Sequence, residues 1–139
     1  MSDRVAVPVS DAGFRHGVGV FETVRVQGGK APWRDWHLDS IRESAKVLGL
    51  KAEEKGFAKI PDGDGIWRWF VTETGMRTWW SEGIEMPPEA YELGLAETGV
   101  WSTSWEARYK TLSYLNRIQA KREGNKPDQE RVMLNERGE

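Results

Sequence analysis

The sequence predicts an α+β fold, and three observations carry that prediction. Residues 20–26 and 66–73 alternate between two faces, as strands do. Residues 38–48 carry apolar side chains at helical spacing. The elements then follow in the order strands, helix, strands, helix, strand, without the regular alternation of a parallel α/β sheet.

In the first alternating run, Val20, Glu22, Val24 and Val26 share one face, and Phe21, Thr23 and Arg25 share the other. Gly28-Gly29 reads as a two-residue hairpin turn into residues 30–33. A phosphate-loop reading of Gly-Gly-Lys is weaker, because the glycine spacing before it and the Ser/Thr after it are absent. Leu38, Ile41, Ala45 and Leu48 stripe the first helix, with Asp35 as its expected N-cap and Gly49 as its end. In the second alternating run Trp67, Trp69 and Val71 face one way, and Ile66, Arg68, Phe70 and Thr72 the other. Residues 73–76 then turn and 77–81 return as the hairpin partner.

The remaining segments are shorter. A strand is expected over 5–9, a three-glycine loop over 10–19, a short helix over 51–60, and strands over 91–96 and 99–104. Leu112, Leu115 and Ile118 stripe a last helix that runs to Glu123 and stops at Gly124. A final strand over 131–135 is followed by residues 136–139, which read as the turn of a hairpin. That ending predicts an unpaired edge on strand 131–135 and a polypeptide cut inside a domain.

Composition narrows the function classes. The chain has 139 residues, enough for one domain, and 20 Lys+Arg against 22 Asp+Glu give a net charge of −2. That balance argues against a nucleic-acid partner. There is no cysteine, hence no disulfide framework and no thiolate metal site or nucleophile. Asp62-Gly63-Asp64-Gly65 has too few oxygen donors for a calcium loop, so no metal is expected. The start lacks an apolar signal segment and no run reaches membrane-spanning length, so no membrane partner and a cytoplasmic location are expected. Eight tryptophans are many for this length. They serve either as core and interface bulk or as stacking platforms for bases or sugars, and the missing basic groove favours packing.

Lys110 is the candidate for chemistry. It lies in Arg108-Tyr109-Lys110-Thr111-Leu112-Ser113-Tyr114-Leu115-Asn116, where a strand-like stretch gives way to a helix-like one. Such a junction can present an amine to a cleft, as a Schiff-base lysine requires. Taken alone the context is weak, since most such lysines are solvated.

Three segments give it weight. The run from Asp11 through His16 and Gly17 to Phe21-Glu22-Thr23-Val24-Arg25 resembles the opening motif of the class IV pyridoxal-phosphate aminotransferases, the fold family of branched-chain and D-amino-acid aminotransferases and aminodeoxychorismate lyase. His37-Leu38-Asp39-Ser40-Ile41-Arg42 through Leu50 is similar to that family's first helix, and Lys110 through Asn116, followed by Ala120-Lys121-Arg122-Glu123 and Leu134 through Glu139, is similar to its lysine segment and following hairpin.

The resemblance implies an N-terminal α/β domain over 1–104 and the truncated start of a C-terminal cofactor-binding domain over 105–139. It implies pyridoxal 5′-phosphate as cofactor and Lys110 as the catalytic lysine, carrying it as an aldimine and moving a proton at substrate Cα. Tyr114, one helical turn on, would contact the cofactor ring, or else face the core. Ser40 would meet the cofactor phosphate at a position where relatives usually place an arginine. Arg42, about 200° around the helix, does not reach the same spot. Arg15, His16, Glu22 and Arg25 would line the substrate side; Glu22 and Arg25 read equally as solvated strand residues and His16 as a structural histidine. The implied ring-nitrogen carboxylate falls just beyond Glu139, and an N-terminal strand is also expected to be missing.

The activity implied is transfer of an amino group between an amino acid and a 2-oxo acid, by a homodimer completed by a further C-terminal segment. Aminodeoxychorismate lyase activity, which releases pyruvate to give 4-aminobenzoate, is the alternative. A non-catalytic truncated relative acting as a binding module is a third reading.

Overall fold

The computed structural model describes residues 5–53, 57, 59–84, 86–124, 126 and 128–139. Contacts divide the chain into two compact units, Met1–Ile84 with Lys110–Ser113, and Glu85–Tyr109 with Tyr114–Glu139. This division falls elsewhere than after residue 104, because the hairpin of the first unit closes by Glu82 and the next strand pairs only within the second unit.

The first unit contains α1 (Ala12–His16), β1 (Val20–Val26), α2 (Arg34–Val47), β2 (Gly65–Thr72) and β3 (Gly75–Glu82). The strands form an antiparallel sheet in the order β1-β2-β3, with Val24 opposite Trp67 and Trp67 opposite Trp80. The alternation read from the sequence is the alternation observed. Val20, Glu22, Val24 and Val26 are buried on β1, and Trp67, Trp69 and Val71 on β2, with β1's other face half-buried or exposed. On this inner face the strands pack against Leu38, Ile41 and Ala45 of α2 and against Phe57. Phe57 and Trp69 approach to 4.5 Å between ring centres, and Trp67 meets Trp69 edge-on at 4.9 Å. Each fully buried side chain of this kind contributes roughly 1.5–3 kcal/mol. Packing is therefore the work of these tryptophans, whereas Trp33, Trp36, Trp101 and Trp105 are exposed.

Several local expectations are corrected. Residues 5–9 form no strand, and the expected loop over 10–19 contains the single turn of α1. The side chain of Asp11 starts that turn by accepting the N–H groups of Gly13 (2.7 Å) and Phe14 (3.2 Å), a capping signal hidden in the glycine-rich context. Asp35 lies inside the first turn of α2 instead of capping it, since the cap position is Trp33. The Gly28-Gly29 turn is present, both glycines having positive φ, but it closes only the single bridge Gln27–Lys30. The short helix expected over 51–60 falls partly on residues outside those described, and 51–53 are not helical.

The last helix begins at Leu115, not at Leu112, because residues 110–113 bond sideways to β1. Phe21 N–H donates to the Lys110 carbonyl, Leu112 N–H donates to the Gly19 carbonyl, and Val20 faces Thr111. This short strap continues the first sheet beyond its β1 edge.

The second unit contains β4 (Glu92–Leu95), α3 (Trp105–Arg108), α4 (Leu115–Arg122) and β5 (Gln129–Val132). The strand expected over 99–104 is a turn, with Ser104 N–H donating to the Trp101 carbonyl, and α3 follows it unforeseen. The last strand is shorter and earlier than expected and does not stand unpaired: β5 pairs in parallel with β4, and Val100 N–H donates to the Leu134 carbonyl beyond it. Residues 135–139 do turn, as expected. Carboxylates pin this unit's loops. Glu123 accepts Thr98 Oγ–H at 2.5 Å and Glu97 N–H at 2.6 Å, and Glu136 accepts Ser102 Oγ–H at 2.6 Å. Among the described residues no helix is long and apolar enough to cross a membrane.

Asp11 is the matching pin of the first unit. Its buried carboxylate accepts the Thr74 hydroxyl and the Thr72 hydroxyl (2.7 Å), tying α1 to the β2–β3 turn. Thr74 first and Thr72 second hold its carboxyl at about 2, below the ordinary 3.8, against burial, which raises it. A lowered folded-state value means stabilisation that is complete above about pH 4 and lost as pH falls through about 2. Asp11→Asn is expected to lower stability at neutral pH and to flatten the loss between pH 4 and 2, read by urea unfolding at each pH. Parallel curves for the two proteins would refute the assignment.

Candidate functional site

The site is built on an inward-facing charge. Strand alternation sends Glu22 to the same face as Val20, Val24 and Val26, where it is only 4% exposed. A carboxylate there must find donors, because a buried charge left unpaired is costly. Helix α2 supplies two from residues one turn apart, which share a helix face. His37 Nδ1 lies 2.9 Å from Glu22 Oε2, and Ser40 Oγ–H donates to Oε1 at 2.9 Å. A carboxylate oxygen accepts, so Nδ1 carries the proton of the His37 contact. The adjacent Thr23 N–H also donates to Oε2 at 3.3 Å.

The fourth partner is Lys110. Its carbonyl is fixed to β1 by the Phe21 N–H at 2.9 Å, so the side chain emerges at the sheet edge beside Glu22. Nζ lies 3.6 Å from Glu22 Oε2 and 5.1 Å from the centre of the Phe21 ring, with the side chain 38% exposed. Lys110 and His37 therefore share one oxygen, with Lys110 open to solvent and His37 more enclosed. A nucleophilic amine, a buried carboxylate and an imidazole in this arrangement can bind a carbonyl compound and handle a proton beside it.

The other expected site residues are distributed differently. Arg15 and His16 form the exposed C-terminal end of α1, and Arg25 is exposed on the opposite face of β1 from Glu22. Tyr114 belongs to the second unit, at the cap of α4, where Arg117 lies 5.4 Å from its ring. Glu22 points to the core and meets Lys110 instead of presenting its carboxylate on the outer face. Arg42 is turned to Asp39 at 3.9 Å. His37 was not among the residues singled out from the sequence. The available signal was the pairing of an inward glutamate on β1 with His37 and Ser40 spaced three apart on the facing helix. Among the described residues no cluster of three His, Cys, Asp or Glu could hold a metal ion.

Neither a protein-family model nor a curated protein matches the sequence. Solved structures do. A protein provisionally named 4-amino-4-deoxychorismate lyase matches with a TM-score of 0.81 and 27% identity, over 97% of this chain and 61% of its own. The 4-amino-4-deoxychorismate lyase of Pseudomonas aeruginosa matches with a TM-score of 0.79 and 20% identity, over 96% of this chain and 59% of its own. An aminotransferase from Brucella abortus bound to PLP matches with a TM-score of 0.69 and 17% identity, over 88% and 53%. The chain thus has the fold of the N-terminal portion of the class IV aminotransferases and aminodeoxychorismate lyases, and spans about 60% of the length of the first two structures.

The residues present fit the carbonyl end of pyridoxal phosphate, for which Lys110 offers an accessible amine. Ser40 offers nothing to its phosphate, since its hydroxyl proton is given to Glu22. The strap that places Lys110 depends on a close approach at Gly19. A Cβ there would meet Leu112 Cδ1 at 2.5 Å and the Val71 carbonyl oxygen at 2.8 Å. Gly19→Ala is accordingly expected to lower stability by about 1–3 kcal/mol, as overpacking does, and to loosen the strap. Denaturant unfolding and amide exchange at Leu112 check this; unchanged Leu112 protection would contradict it.

Proposed function

We propose that this chain supplies the lysine-bearing portion of a pyridoxal-phosphate enzyme that moves an amino group between an amino acid and a 2-oxo acid. The supporting observation is the Lys110 amine, open to solvent yet held 3.6 Å from a buried carboxylate on the scaffold shared with PLP-bound relatives. When bound, the cofactor supplies an electron sink for charge developing on the substrate carbon. The chain's own residues do the rest. Lys110 would hold the carbonyl group and, with that bond released, its free amine would accept or return the proton at the substrate carbon. Glu22 fixes the amine, and His37 and Ser40 fix Glu22. A homodimer in the cytoplasm, with a further C-terminal segment completing the site, belongs to the same proposal.

A second reading is aminodeoxychorismate lyase, favoured by the likeness at 27% identity to a protein provisionally given that name. Both readings use the same lysine, and the products separate them: an amino group on a 2-oxo acid for the first, pyruvate from aminodeoxychorismate for the second.

The first test is chemical. Incubation with pyridoxal phosphate followed by borohydride is expected to leave a stable pyridoxyl mass on the Lys110 peptide, and Lys110→Ala should abolish it without unfolding the protein. Labelling that is spread evenly over the lysines, or that survives the substitution undiminished, refutes the proposal.

A further inference from the structure

We propose that the lysine site of this chain selects for a carbonyl group and is indifferent to a phosphate, an inference that rests on Lys110 being the carbonyl-binding residue. The donors an anion would need are already turned onto one carboxylate. A serine hydroxyl has a single proton to give, and Ser40 gives it to Glu22 Oε1 at 2.9 Å. The His37 Nδ1 proton goes to Oε2 at 2.9 Å. The charges close on each other as well, since the Lys110 ammonium is met by the same Oε2 at 3.6 Å. An approaching dianion therefore meets a neutral pair, not a free cation.

The surroundings point the same way. Lys110 Nζ sits 5.1 Å from the Phe21 ring centre, and the face of an aromatic ring attracts cations and disfavours anions. On α2, Arg34 donates to the Phe57 carbonyl and to Asp35 (both 2.8 Å at the closest), and Arg42 leans to Asp39. A carbonyl needs none of these partners; it needs space and the Lys110 nitrogen once its ammonium has given up a proton, and the side chain is 38% exposed. Glu22 is thus the positioning residue that sets the ligand class. Removing its charge while keeping its shape leaves Lys110 as an unopposed cation, which is a better place for phosphate.

The test compares two aldehydes on the full 139-residue chain: pyridoxal phosphate, and 5′-deoxypyridoxal, which lacks the phosphate and cannot close on itself. In each reaction the lysine nitrogen attacks the aldehyde carbon, water leaves as C=N forms, and hydride from added cyanoborohydride reduces it to a secondary amine. Peptide mass spectrometry gives the rate at Lys110 and at exposed Lys46 of α2. The ratio of the two aldehydes at one lysine cancels that lysine's own reactivity, and dividing by the ratio at Lys46 cancels the difference between the reagents.

The corrected ratio is expected to lie within about twofold of unity in the wild-type protein and to rise about two- to fivefold toward the phosphate in Glu22→Gln, the scale of a partly exposed charge interaction. Ser40→Ala should leave it unchanged. A wild-type preference for phosphate above about fivefold, or a ratio that a folded Glu22→Gln does not move, overturns the proposal. Titration with inorganic phosphate, followed by the NMR signals of Ser40, His37 and Lys110, decides the matter independently. Unmoved signals support the proposal, and a saturable shift refutes it. Should neither aldehyde mark Lys110, the enzyme reading and the carbonyl selectivity that rests on it both fail; marking of Lys110 with a phosphate preference, or with a saturable phosphate shift, overturns this proposal alone.

Discussion

The first unit is organised around a charge in the wrong place. Glu22 points into a face otherwise made of valines and tryptophans, and such a carboxylate is tolerated only when its oxygens are occupied. That requirement constrains three separate segments. It sets the rotation of α2, whose His37 and Ser40 must face β1 one turn apart. It sets the strap at residues 110–113, whose lysine must reach the same oxygen as His37. It also sets the register of β1, because a slip of one residue would send Glu22 to solvent and Phe21, Thr23 and Arg25 inward. The two ends of the cluster differ in strength. The Lys110 contact is longer and open to solvent, hence screened, whereas His37 and Ser40 are short contacts in a more enclosed setting.

The same device recurs at lower cost in the loops. Asp11, Glu123 and Glu136 each accept a hydroxyl from a segment distant in sequence and at least one backbone N–H, which for Asp11 comes from the nearby Gly13. Each is held below the ordinary carboxylate range by those bonds, with the threonine or serine hydroxyl as the largest cause. Short elements such as α1 and β4 have little apolar surface of their own to bury. A carboxylate that collects several donors substitutes for core at those points, and it ties loop order to the charged state of a few acids.

Much of this was legible in the sequence wherever a period governs. The alternation of β1 and β2 and the stripe of α2 named the core residues, because each side chain's direction follows from its place in the repeat. The same alternation put Glu22 on the valine face, and resemblance to relatives drew it toward the substrate side. Legibility fails where the deciding bond is non-local. The turn of α1 depends on an aspartate side chain amid glycines, and the parallel pairing of β5 with β4 joins segments more than thirty residues apart. His37 was passed over for the same reason: its role exists only across the gap between α2 and β1. The placement of Lys110 was not legible either: a strand-to-helix junction is expected there, and residues 110–113 bond to the edge of β1.

That difference of placement bears on what Lys110 can do. An amine at the start of a helix would inherit its direction from the first turn, and fraying there would move it. Lys110 is instead anchored by backbone bonds to β1 and its leading residue Gly19 on either side of Thr111, four residues before the α4 cap at Tyr114. Its direction is inherited from the sheet, and its charge is met by a carboxylate carried on β1. Anchor and counter-charge therefore move together. A lysine held this way can exchange a proton or a carbonyl partner without the backbone shifting beneath it, which is the pre-organisation that lysine-based chemistry requires. The serine at position 40 joins the same cluster, its hydroxyl bonding the carboxylate from the helix side at 2.9 Å.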